Sequence, residues 1–110
     1  MTDLKDQKCI PCQGGIPPLT PAEIAPLKDK LNADWNVIEH HHLSKTFSFP
    51  DFKTALKFVN HVSEIAEAEN HHPNISFTWG SVTITIWTHK IDGLAKSDFI
   101  LAAKINDIYE

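Results

Sequence analysis

Apolar residues in this chain recur at helical spacing, then at every second position, and the sequence runs through that change twice before closing on a last helical pattern. The first helical run has Ile24, Leu27 and Leu31 on one face. Thr20 can cap it, Pro21 fits its first position, and Glu23 completes a Thr-x-x-Glu capping box. Pro26 removes a backbone donor inside this run, which predicts a helix that is short or kinked there, and Asn32 to Asp34 break it. From Trp35 to Phe49 the period becomes two. Trp35, Val37 and His41 alternate with polar residues and are followed by Leu43, Lys45, Phe47 and Phe49. This predicts two short strands joined near His40-His41-His42.

A long helix is predicted from Pro50 to Asn70, with Phe52, Ala55, Leu56, Val59, Val62, Ile65 and Ala66 as its apolar stripe. Pro73 disfavours helical geometry at His72, so this helix should end near Asn70 or His71. Ile75–Trp79 and Val82–His89 both alternate, and Gly80-Ser81 between them suits a type II′ turn. That turn would pair Trp79 with Val82, Phe77 with Ile84 and Ile75 with Ile86, placing six apolar side chains on one face. The same count continued past Pro73 sets His89 opposite His72. A final helix follows from Ser97 to Tyr109, with Leu101, Ile105 and Ile108 as its stripe.

The order α-β-β-α-β-β-α predicts a single α+β domain: a four-stranded antiparallel sheet with the helices packed on one face and a polar face left open. At 110 residues the chain is long enough for one hydrophobic core, and 42% hydrophobic with 22% charged residues is an ordinary globular balance. A net charge of −4 argues against general affinity for nucleic acid backbones. No apolar run approaches the roughly 20 residues of a membrane helix. The opening Met1–Asp6 lacks the apolar stretch of a secretory signal, so a cytoplasmic protein is expected. Residues 1–18, with Cys9-x-x-Cys12 and Gly14-Gly15, read as a flexible arm carrying two free thiols. A structural zinc site would need further ligands, and a thioredoxin-like motif would need a βαβ unit beside it.

The chemistry concentrates in His71, His72 and His89, which the helix end and the hairpin bring towards one place. Histidine exchanges protons near neutral pH, so such a cluster suits acid–base catalysis. Three imidazoles can also hold zinc in an open site, and seven histidines make some proximity ordinary for surface residues. His40-His41-His42 invites a metal reading too, but successive residues of a regular strand point to opposite faces, which favours an exposed polar turn or strand edge.

Glu67-x-x-x-His71-His72-Pro73, then Trp79-Gly80-x-Val82, Thr88-His89, Gly93-Leu94 and Asp98, resembles the pterin-4a-carbinolamine dehydratases. The resemblance runs from about Leu19 to the C-terminus, so residues 19–110 would form the dehydratase domain, and Cys9-x-x-Cys12-x-Gly14-Gly15-x-x-Pro18-Leu19 resembles the lead-in of many microbial members. It implies dehydration of 4a-hydroxytetrahydropterin to the quinonoid dihydropterin at a site formed by His71, His72 and His89, with no metal or other cofactor. His71 and His89 would be the acid–base pair and His72 a substrate-binding group. Glu67, one helical turn earlier, would orient His71. Trp35 would wall the flat pterin or sit in the core, and Asp98 would join the site or cap the last helix. Ala95 and Lys90-Ile91-Asp92 depart from the family's usual residues, the first at a position where a threonine often caps that helix. The resemblance further implies a homodimer or homotetramer joined edge to edge and an aromatic amino acid hydroxylase pathway as context. An alternative function comes with it, since some animal relatives serve as dimerisation cofactors of a transcription factor through the surface of the final helix.

Overall fold

The computed structural model describes residues 4–9, 17–31 and 35–109; Cys12, Gly14-Gly15 and the Asn32–Asp34 break lie outside them. The predicted element order holds: α1 (Pro21–Leu31), β1 (Asn36–Ile38), β2 (His42–Ser48), α2 (Phe52–Glu69), β3 (Asn74–Thr78), β4 (Ser81–Ile86) and α3 (Lys96–Tyr109). The four strands form one antiparallel sheet in the order β1-β2-β4-β3.

Local chemistry explains the helix ends. At α1 the Thr20 N–H donates to Glu23 Oε1 at 2.9 Å and the Glu23 N–H to Thr20 Oγ1 at 3.3 Å, which is the reciprocal capping box. The helix runs through Pro26 for 11 residues. At α2 the Asp51 carboxylate accepts the Thr54 N–H at 2.8 Å, and this bond holds its carboxyl below the usual value of 3.8. Its other end is closed by Asn70, whose left-handed backbone (φ 52°) lets its N–H reach back to Ala66 and Glu67 carbonyls.

The alternation chose the strand faces correctly but not the turn, and Trp79, expected on the apolar face, lies in that turn and is exposed. Leu43, Phe47, Val82, Ile84 and Ile86 are buried on the helix side of the sheet, with Ile75 and Phe77 half-buried among them. Ser44, Thr46, Ser76, Thr83 and Thr85 fill the opposite face. The hairpin turn is Trp79-Gly80, not Gly80-Ser81, so Thr78 pairs with Ser81, Phe77 with Val82 and Ile75 with Ile84. The observed register is two residues from the expected one. A two-residue slip leaves every side chain on its original face, so the apolar pattern is satisfied by both. The Gly80 carbonyl accepts the Phe49 N–H at 2.8 Å, and a Cβ on Gly80 would stand 3.0 Å from the Phe49 oxygen, which ties this turn to the end of β2.

The core is shared by the inner face of the sheet, α2 and α3. The last helix buries Ser97 through Ala102 and Ile105, nearly all sides of its first two turns, because α1, α2 and a 3-10 turn at Leu4–Asp6 all pack on it. The arm is therefore not wholly free, contrary to expectation. Leu4 and Cys9 are buried, the Cys9 N–H donates to Glu69 Oε1 at 2.8 Å, and the thiol donates to the Ser97 carbonyl at 3.5 Å. Burial, reinforced by the neighbouring Glu69 carboxylate, pushes the Cys9 thiol up to about 12 from an ordinary 9.0. Folding thus favours the protonated thiol: its contribution to stability is complete below pH 9 and fades as the pH climbs towards 12. In the native protein at pH 8, Cys9 should alkylate with iodoacetamide roughly 10²–10³-fold more slowly than in the denatured chain. Peptide mass spectrometry resolved in time checks this, and equal rates in the two states would contradict the packed arm.

Candidate active site

Beyond the Asn70 cap the chain turns sharply, and His71 and His72 diverge. His71 is largely covered, with 17% of its side chain exposed, and its Nε2 lies 2.6 Å from Asp98 Oδ1. His72 faces solvent and pairs through Nε2 with Glu67 Oε2. Glu67 was expected on His71. Instead, His72 folds back over the last turn of α2 to meet it, and the carboxylate on His71 comes from α3, 27 residues away.

Asp98 is completely buried and satisfied on both oxygens. Besides His71, its carboxylate accepts the Thr88 hydroxyl at 2.8 Å and the Ala95 N–H at 2.8 Å. Asp98 therefore caps the start of the last helix, one of the two roles foreseen for it, and contacts His71 as well. Ala95, which precedes α3, has no side-chain acceptor of its own, and Asp98 reaches back from the third helical position to satisfy its N–H. The same carboxylate joins the His71 segment to Thr88, the residue before His89.

His89 was expected at the end of a strand but opens a 3-10 turn, His89–Ile91, after β4 has ended at Ile86. The turn is closed at its base by Thr88 N–H to Gly93 carbonyl (2.8 Å), with the Asp92 N–H bonded to the His89 carbonyl at 3.2 Å. A Cβ on Gly93 would stand 2.5 Å from Pro18 Cβ, so only glycine lets the chain before α1 lie across this loop. His89 is exposed and its ring stacks on Trp87, with centroids 4.2 Å apart and planes at 19°.

None of the three imidazoles hydrogen-bonds another; they are linked through Asp98 and the backbone. The observed register sets His72 opposite Trp87 by count, not His89, and the ladder itself stops at Asn74–Thr85. Trp35 is 1% exposed, edge-on to Phe47, with its indole N–H donated to Asn106 Oδ1 at 2.9 Å. It is a core residue here and presents no wall to a ligand. The sequence reasoning missed Thr88, Trp87 and the His41–His42 contact. As expected, the two strands join near the triple histidine: His40 and His41 lie in the Glu39–His41 turn, whose first two residues have positive φ. His41 Nδ1 therefore comes within 3.1 Å of His42 Nδ1. Among the described residues, no group of three or more His, Cys, Asp or Glu side chains is arranged to hold a metal ion. No helix among them is long and apolar enough to cross a membrane.

Chemically, Asp98 fixes the orientation of His71 and takes up Nε2, which leaves Nδ1 as the nitrogen that can exchange a proton with a bound molecule. His89 offers a second imidazole from a braced turn.

Comparison with known proteins bears on the family and the fold. A family model described as pterin 4 alpha carbinolamine dehydratase matches residues 17–108. A protein of Rubrobacter xylanophilus is 50% identical over 106 residues, covering 96% of this chain and 98% of its own. One of Rickettsia canadensis is 53% identical over 105 residues, covering 96% of each chain. Both are named, provisionally, as pterin-4-alpha-carbinolamine dehydratases. Among solved structures, the transcriptional coactivator/pterin dehydratase of Brucella melitensis superposes with a TM-score of 0.78 at 29% identity, over 84% of this chain and 99% of that one. A pterin dehydratase-like RuBisCO assembly factor of the alpha-carboxysome has a TM-score of 0.61 at 21% identity, over 72% of this chain and 93% of its own, a likeness of fold.

Proposed function

The chain belongs to the pterin-4-alpha-carbinolamine dehydratase family, and from that premise we propose that it removes water from 4a-hydroxytetrahydropterin by histidine acid–base catalysis. The observation that carries the proposal is the buried Asp98 carboxylate, which holds His71 at 2.6 Å and the neighbour of His89 at 2.8 Å. The reaction needs an acid and a base on one flat substrate. The ring N5 lone pair forms the new C4a=N5 bond, the C4a–O bond breaks, an acid protonates the departing hydroxyl, and a base takes the N5 proton. The products are water and the quinonoid dihydropterin, with no net consumption of protons. His71 and His89 act as the acid–base pair, and His72, steadied by Glu67, contacts the pterin. Each positioned acid or base of this kind contributes ~10²–10⁴-fold.

The carbinolamine would come from a pterin-dependent hydroxylase, which suits an aromatic amino acid hydroxylase pathway. Assembly as a homodimer or homotetramer belongs to the same reading. Among the described residues, strands β1 and β3 are each paired on one side only, and edge-to-edge joining would use those open edges.

The decisive experiment follows synthetic 4a-hydroxytetrahydropterin by absorbance with and without the protein. The expected result is conversion well above the spontaneous rate and insensitive to a chelator. Loss of activity on chelation would support the zinc reading of the histidines instead, and no acceleration would reject the dehydratase assignment. A coactivator role through the final helix has less to build on here, because the first half of α3 is buried under α1, α2 and the arm.

A further inference from the structure

Trp87 plays no part in the chemistry above, yet it is the residue on which His89 rests. The indole and imidazole are stacked, not merely adjacent, with centroids 4.2 Å apart and planes at 19°. The indole also meets two further imidazoles, those of His41 (5.5 Å) and His42 (5.9 Å). The β2–β4 register accounts for this. Leu43 pairs with Ile86, so the next step sets His42 opposite Trp87 on the face away from the helices. His41, displaced into the turn, reaches the same indole and sends its Nε2 to Asp92 Oδ1 at 2.8 Å. Asp92 ends the turn that carries His89, in left-handed geometry (φ 49°), with its N–H bonded to the His89 carbonyl. The contacts thus close a ring: His89 on Trp87, Trp87 beside His41, His41 on Asp92, and Asp92 back to His89.

An exposed imidazole on a three-residue 3-10 turn would otherwise be free to change rotamer. Stacking on a half-buried indole restricts that rotation, and the aromatic face favours a planar neighbour at this separation. We propose that Trp87, backed by the His41–Asp92 contact, is a positioning residue that holds the His89 ring in its working orientation. This rests on His89 acting in the dehydration proposed above. His41 and His42 then have a use that is not metal binding: they pack against the indole.

Two readouts test the proposal on the full chain, with Trp87→Leu and Trp87→Phe compared against wild type and Trp79→Leu as an exposed tryptophan control. The first is independent of activity. The His89 ring protons, identified in NMR spectra by their loss in His89→Gln, should lie upfield in wild type through the indole ring current. That displacement should vanish in Trp87→Leu and be largely kept in Trp87→Phe and Trp79→Leu. The second is kinetic. Trp87→Leu should lower kcat about 10- to 100-fold with KM little changed, and Trp87→Phe should recover most of it. Unmoved His89 signals in a folded Trp87→Leu, or wild-type kcat in that variant, would overturn the proposal. If wild type itself gave no turnover, the dehydratase reading would fall, while the ring-current comparison would still decide whether Trp87 holds His89.

Discussion

His71→Ala and His89→Ala should each lower kcat/KM for 4a-hydroxytetrahydropterin by ~10²–10⁴-fold while leaving the far-UV circular dichroism close to wild type, with Tm unchanged in His89→Ala. Both side chains stand at the surface of the fold rather than inside its core: His89 is exposed, and His71 retains 17% exposure. Truncation therefore removes a proton carrier without opening a large cavity. His71→Ala also takes the donor from Asp98 Oδ1, because Thr88 and Ala95 both bond Oδ2, so this variant should keep its fold but lose ~1–3 kcal/mol of stability. The double variant should fall well short of the product of the two single losses, because an acid without its base is of little use in a concerted dehydration. His72→Ala should instead raise KM more than it lowers kcat, since its exposed contact with Glu67 belongs to a binding group. Stopped-flow turnover of the three variants checks the division, and wild-type rates in both His71→Ala and His89→Ala would remove the imidazoles from the mechanism.

Asp98 should be the position where stability and activity fail together. Asp98→Ala leaves the Thr88 hydroxyl and the Ala95 N–H without their shared acceptor at the buried start of α3, and it frees the His71 ring. Each buried group left unsatisfied costs ~1–3 kcal/mol, so a total loss of about 2–5 kcal/mol is expected, measured by urea unfolding. Asp98→Asn separates the two roles. Asparagine is as good as aspartate at a helix start and preserves shape, so much of the stability should return. Its oxygen can keep the two bonds made at Oδ2, but its NH2 then faces His71 Nε2 where a carboxylate oxygen accepted, which reverses that hydrogen bond and switches the imidazole tautomer. Dehydratase activity of Asp98→Asn should therefore stay at least about 10²-fold below wild type. If Asp98→Asn were fully active, the carboxylate would be a helix cap and nothing more.

The chain's own pattern went far towards the fold. The capping box of Thr20 and Glu23, the stop before Pro73 and the two-residue alternation of the strands act between near neighbours, and each appeared where the sequence placed it. The family relationship was legible for a similar reason: the motif residues keep their order and spacing whatever the details of packing. Where the sequence fell short, the missing information was long-range. Alternation fixes which face a side chain takes but is blind to a slip of two, and that slip moved the turn to Trp79-Gly80 and took His89 away from His72. Helical spacing offered Glu67 to His71, yet the cap at Asn70 redirected the chain and gave Glu67 to His72.

By itself, then, the sequence determined the elements, their faces and the residues worth watching, because these follow from backbone propensity and the periods of helix and strand. Only the tertiary structure decided the partnerships: Asp98 with His71 and Thr88, Trp87 with His89, and the Cys9 arm with Glu69 and Ser97. Those contacts join residues far apart in the chain or across a turn of special geometry. A shift of one loop residue, which local spacing does not penalise, would exchange them for others.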